Sequence, residues 1–191
     1  MIALLLAAAA VAPAAQISPA AALAPPPLAP LAVADVRRSL VGRWQGQLEY
    51  RDYQADRWFG LPMKLEVRDG GDGVTLIRVA DFDDGPKTGI VRITSVSMLD
   101  GASETTATFR KGRKPELATA TLALDRASRD ATHWTLVETE TATDDNRPAI
   151  LRVTTTRDGD TMVALKEVDF TDDQTATWLT RNRTTLRRVA K

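Results

Sequence analysis

Residues 40–53 read LVGRWQGQLEYRDY, and their alternation decides the fold class. Trp44, Gly46, Leu48 and Tyr50 fall on one face, and Gln45, Gln47, Glu49 and Arg51 on the other. A period of two with one apolar face is the signature of a half-buried antiparallel strand. The same period returns downstream. Met63, Leu65 and Val67 alternate with Lys64, Glu66 and Arg68, and the run Asp69-Gly70-Gly71-Asp72-Gly73 then supplies hairpin-turn residues.

Further strands are expected over about residues 74–82, 88–98, 103–110, 116–124, 132–142, 149–157, 161–170 and 174–188. Turn residues separate them: Asp83-Asp84-Gly85-Pro86, Asp100-Gly101, Lys111-Gly112, Asp125-Arg126, Asp144-Asp145-Asn146, Asp158-Gly159 and Asp172-Asp173. Threonine pairs such as Thr105-Thr106 suit β structure. Upstream, Asp35 is expected to cap a short helical turn running through Val36, Leu40 and Val41. The expectation is an all-β, antiparallel up-and-down β-barrel of about ten strands. Closure is favoured over an open sheet because it leaves no unpaired edges. A β-sandwich is the alternative.

The chain has 191 residues, enough for one domain with a sizeable core. Lys+Arg and Asp+Glu both number 25, so the chain as a whole has no long-range attraction for nucleic acid or acidic membrane. It has no cysteine, which rules out disulfides, thiolate nucleophiles and Cys-type zinc sites. The first 34 residues carry no charged side chain. Residues 2–11 form an apolar run too short for the roughly 20 residues of a membrane-spanning helix. Ala12-Pro13-Ala14 follows with the small-x-small pattern of a signal-peptidase site. Three segments are therefore expected: a signal peptide over 1–15, an Ala/Pro-rich linker over 16–34, and a β-barrel domain over 35–191. The expected location is periplasmic or secreted, with no integral membrane segment in the mature form.

The Gly42-Arg43-Trp44 opening of a long strand, followed by many short strands and an Arg-rich last strand, resembles the calycins, the lipocalin-like and fatty-acid-binding-protein-like barrels. The resemblance implies that Trp44 closes one end of the barrel. It also implies that an arginine of the last strand, Arg181 or Arg183, packs across the Trp44 ring. The segment LEYRDYQADRWFGLPMKLEV, residues 48–67, is similar to small exported bacterial proteins.

Candidate chemistry is sparse. His133 is the only histidine, so no Ser-His-Asp arrangement can be assembled without it. The aspartates at 81, 83 and 84, at 144 and 145, and at 172 and 173 offer oxygen ligands for a hard cation, but turn chemistry accounts for the same residues. Glu138 and Glu140 share one strand face; catalytic carboxylates or an exposed polar face both fit them. No catalytic residue, metal ligand or cofactor is assigned. The C-terminal run from Arg181 is basic but short and poor in aromatics, which argues against nucleic acid.

Arg78 sits among Val74, Leu76 and Ala80, and Lys166 among Met162, Ala164 and Val168. If those faces point inward, they place cations inside the barrel, where a ligand carboxylate supplies the counter-charge. Tyr50, Met63, Leu65, Arg78, Lys166 and Trp178 are the expected ligand-binding set. The leading functional expectation is an exported binding protein for a small hydrophobic or amphipathic molecule held in the barrel. A structural or protein-interaction barrel filled by its own side chains is the second reading, and an enzyme using barrel carboxylates the third.

Overall fold

A computed structural model describes residues 31–173 and 175–190. Ten strands form one closed antiparallel barrel: β1 (Gly42–Asp52), β2 (Arg57–Asp69), β3 (Thr75–Asp83), β4 (Ile90–Asp100), β5 (Ser103–Arg110), β6 (Glu116–Leu124), β7 (His133–Asp144), β8 (Arg147–Asp158), β9 (Thr161–Phe170) and β10 (Leu179–Arg188). Each strand pairs with its sequence neighbours, and β1 closes the ring against β10. The up-and-down barrel expected from the alternation is the observed fold, and the sandwich is excluded. β2 starts earlier and β10 later than the alternation indicates, at Arg57 and Leu179. No helix among the described residues is long and apolar enough to cross a membrane.

Residues directly opposite each other in an antiparallel pair share a face of the sheet. The register therefore sorts every strand into inward and outward positions. Trp44 lies opposite Leu65 and Arg188, Gly46 opposite Met63 and Leu186, and Tyr50 opposite Phe59 and Asn182. Val67 lies opposite Arg78, Glu138 opposite Val153, and Val153 opposite Lys166. All of these face the interior. At Gly46 the chain has no room for a side chain: a Cβ would stand 1.9 Å from the Thr185 carbonyl oxygen of β10. Glycine lets β1 press against β10 there.

A short helix, α1 (Val33–Ser39), lies across one end. Asp35 is not its cap; Ala32 holds that position, and the Asp35 carboxylate accepts the Ala32 N–H at 3.2 Å from inside the first turn. Val36 and Leu40 of this segment join Trp44, Val67, Leu76, Leu122, Trp134, Leu136 and Leu186 in the main core. The core thus occupies the α1 end. A one-turn helix, α2 (Gly85–Thr88), sits in the β3–β4 connection at the opposite end.

Candidate functional site

The α1 end is shut by two tryptophans and two arginines. Trp44 is 1% exposed, and its indole N–H donates to the Leu40 carbonyl at 2.8 Å. The guanidinium carbons of Arg157 and Arg188 lie 5.2 and 5.1 Å from the Trp44 ring centroid. Such contacts contribute about 1 kcal/mol or more where water is excluded. Arg157 also donates to the carbonyls of Ser39 and Ala131, and Arg188 to those of Ser39 and Val41. They thereby satisfy carbonyls that the end of α1 leaves free. The Trp134 indole N–H donates to Ser39 Oγ and the Ala131 carbonyl.

The last strand does supply an arginine across Trp44, but it is Arg188, not Arg181 or Arg183. The reason is register. β10 runs antiparallel to β1 and pairs Arg188 with Trp44, while Asn182 pairs with Tyr50 at the far end. At about 3.3 Å per residue, the Arg181–Arg183 stretch lies roughly 20 Å away. Arg181 sits at a bulge between Thr180 and Asn182 and pairs with Asp144. Arg183 is on the outer wall, where it pairs with Glu49 and lies over Trp58.

Just above this floor is an ionic cluster that the alternation did not reveal. Arg37 of α1 is 2% exposed and reaches into the barrel. It donates to the Val74 carbonyl at 2.7 Å, to Ser97 Oγ at 3.1 Å and to Glu104 Oε1 at 3.1 Å. Arg78 meets the same Glu104 oxygen at 3.4 Å. Burial works to raise the Glu104 pKa, but Arg78, the Ser97 hydroxyl and Arg37 outweigh it and hold the carboxyl below its ordinary value. Glu138 faces the same space and shows the opposite balance. Burial dominates there and pushes its pKa up, with Arg78 working against the rise and Glu104 adding to it. Glu140 is also inward, opposite Leu151. Glu138 and Glu140 therefore share a face, but it is the inner wall and not the exposed polar face expected for them.

The structure brings five of the six expected ligand residues to the interior face: Tyr50, Met63, Leu65, Arg78 and Lys166. Arg78 stays 24% exposed. No carboxylate among the described residues pairs with Lys166, whose strand neighbours are Val153 and Asn182. Trp178 is the correction. It precedes β10 and stacks over Arg152 at 3.8 Å, and Arg152 is an outward residue bound to Glu167. Trp178 is packed on the outer wall because the strand that would have turned it inward begins only at Leu179.

The opposite end is the mouth. Tyr50 and Phe59 stack there with centroids 5.5 Å apart, and Phe59 remains exposed. Across from them, Ala149, Val168 and Phe170 form a second small core with Leu151 and Leu179. Arg147 covers the Phe170 ring at 3.8 Å. A separate open saddle of about 980 Å³ lies on the outer wall, bordered by outward residues such as Gln45, Gln47, Lys64, Asp81 and Arg187.

The remaining candidates have local roles. His133 Nδ1 is 3.0 Å from Asp130 and its Nε2 is 3.4 Å from Asp158, at the rim beside α1. Asp69, Asp72, Asp83, Asp125, Asp130 and Asp173 accept backbone N–H groups within their own turns. The Thr75 hydroxyl, with backbone N–H groups, lowers the Asp72 pKa to about 2.

No family model and no curated protein matches the sequence. Among solved structures, the chain is similar to the one described as the crystal structure of Rv2717c from M. tuberculosis. The TM-score is 0.57 at 13% identity, over 84% of this chain and 99% of that one. That likeness shows a shared barrel fold.

Proposed function

We propose that the protein binds a small hydrophobic or amphipathic molecule inside the barrel, with the ligand's acidic group met by Arg78 or Lys166. One observation carries the reading: inward side chains away from the α1 end keep accessible surface. Inward residues at the α1 end, such as Trp44, Leu136 and Leu186, are buried. Inward residues further up the barrel, including Leu48, Tyr50, Leu61, Phe82, Arg78, Glu138 and Lys166, keep accessible surface. Aliphatic and aromatic walls with a few inward charges are the usual lining of a small-molecule site. Calycin kinship belongs to the same reading and is supported by Trp44 and the last-strand Arg188 across it. Export is also part of the proposal. Its support is the apolar leader and Ala12-Pro13-Ala14, which lie outside the described residues, and the mature chain should begin near Ala15 or Gln16 on N-terminal sequencing.

The test is titration with a fluorescent fatty-acid analogue as the anionic amphiphile. Saturable binding is expected, weakened about tenfold or more in the Arg78→Ala, Lys166→Ala double variant, since each lost ion pair with a charged ligand group contributes roughly 1–3 kcal/mol. No saturable binding, or binding indifferent to both cations, overturns the reading in favour of a barrel that serves as an interaction scaffold.

A further inference from the structure

We propose that the β5–β6 edge of the mouth seats the barrel on the surface of an anionic lipid bilayer. The overall charge of zero conceals a local imbalance. Five connections ring the mouth: 53–56, 84–89, 111–115, 145–146 and 171–178. Their net charges from the sequence are −1, 0, +3, −1 and −2. The one cationic connection is Lys111-Gly112-Arg113-Lys114-Pro115, and Arg110 precedes it at the end of β5. Arg110, Lys111, Arg113 and Lys114 are all exposed, and none meets a carboxylate among the described residues.

Apolar side chains border these cations. Leu117 is 78% exposed, Ile90 62% and Phe109 44%. Phe109 and Leu117 are outward, diagonal neighbours on β5 and β6, since Leu117 lies opposite Ala107. Phe109 and Leu117 lie within two residues of the cationic turn on its two flanking strands, and Ile90 opens β4 at the same mouth, opposite Asp83. Clustered Lys and Arg next to exposed apolar groups is the composition that holds a protein at an anionic lipid interface. The cations meet headgroup phosphates, and Phe109 and Leu117 enter the acyl boundary. A depression of about 340 Å³ between Phe109, Arg110, Lys111 and Arg113 offers a headgroup a place to sit. A second copy of this chain is a poor occupant, because a two-fold contact through this edge would set two cationic turns against each other. Single-stranded nucleic acid fits less well, since among the described residues Phe109 alone offers an aromatic ring beside the cations. The proposal stands whether or not the interior holds a ligand. If it does, docking by the mouth aims the opening at the membrane.

Cosedimentation of the full chain with vesicles tests this, using phosphatidylcholine alone or mixed with phosphatidylglycerol. Binding should rise with phosphatidylglycerol and fall with added sodium chloride. Lys111→Glu, Arg113→Glu, Lys114→Glu should lose binding on the order of a hundredfold. Lys111→Arg, Lys114→Arg should keep it. Phe109→Ser, Leu117→Ser should weaken it about tenfold, with less dependence on salt. Every variant carries the same apolar leader, so differences among them belong to the β5–β6 edge. Equal binding by wild type and the triple-Glu variant overturns the proposal, as does tighter binding to a single-stranded oligonucleotide than to the anionic vesicles. Release by inorganic phosphate, but not by chloride of equal ionic strength, would also overturn it and indicate a free-anion site.

Discussion

The two ends of this barrel solve the same closure problem with different materials. At the α1 end, indole and guanidinium groups donate to the carbonyls of Ser39, Leu40, Val41 and Ala131, and Trp44, Val36 and Arg37 are almost fully buried. At the mouth, Phe59 and Ile90 remain in solvent, Arg147 pairs with exposed Asp172 and Asp173, and the connections differ in charge. Stability resides at the α1 end, and adaptability at the mouth. The same residue type, arginine, is a structural part at one end, where water is excluded, and a surface group at the other, where solvent screens it.

The hardest test of this comparison is Trp44→Ala. It empties a large core position, removes two cation–π contacts and leaves the Leu40 carbonyl without its donor. The expected loss is in the upper part of the about 3–5 kcal/mol seen for such truncations. Urea unfolding measures it. A loss below about 1 kcal/mol would mean the α1 end is not the stabilising one.

Next is the ionic cluster above the floor. Glu104→Gln leaves Arg37 buried with no carboxylate partner and should cost about 3 kcal/mol. Replacing both members, Arg37→Leu with Glu104→Leu, should recover most of that loss, because desolvating two charges is itself expensive. A double variant as unstable as the single one would show that the pair does more than cancel its own charge.

The fold was legible in the sequence because the β-barrel writes its period directly into the chain. Trp44, Gly46, Leu48 and Tyr50 alternate without interruption, and Asp-Gly pairs punctuate the strands. The turn at Asp172-Asp173 was legible, but the start of β10 was not. Residues 175–178 continue the polar-apolar alternation without joining the ladder, and this displaced Trp178. The choice of Arg181 or Arg183 failed for a related reason. Composition names an arginine-rich last strand, but only antiparallel register decides which arginine reaches Trp44. Arg37 left a faint signal: it lies four residues after Val33 and three before Leu40, on the apolar stripe of α1. Glu104 left none, because its inward neighbours Thr106 and Thr108 are also polar, so the inner face of β5 lacks an apolar mark.

A smaller effect separates the two carboxyls that share the interior. Glu104 has a lowered pKa in the folded protein, so its contribution is present above the ordinary carboxyl pKa of 4.5 and is lost as pH falls through the folded value. Glu138 has a raised pKa, so its contribution is present below 4.5 and is lost as pH rises through the folded value. Glu138→Gln should therefore be more stable than wild type at neutral pH, and the difference should shrink as pH falls towards 4.5. Thermal unfolding across that range checks it. A difference that does not change with pH would mean Glu138 titrates as an ordinary exposed carboxyl.

The smallest expected change in stability is at the mouth. Phe59 faces inward by register, opposite Tyr50, yet it stands at the end of β2 with about half its surface in solvent. It stacks on Tyr50, a contact worth about 0.5–1.5 kcal/mol. Phe59→Ser should lower stability by no more than about 1 kcal/mol, because little of the ring is buried to begin with. The same ring borders the passage between solvent and the accessible interior. Its removal should speed release of the bound fatty-acid analogue while leaving the contacts of Arg78 and Lys166 in place, so the effect falls on the dissociation rate. Stopped-flow displacement of the analogue measures this. An unchanged dissociation rate would show that ligand passes elsewhere, and a stability loss matching that of Trp44→Ala would erase the distinction between the two ends.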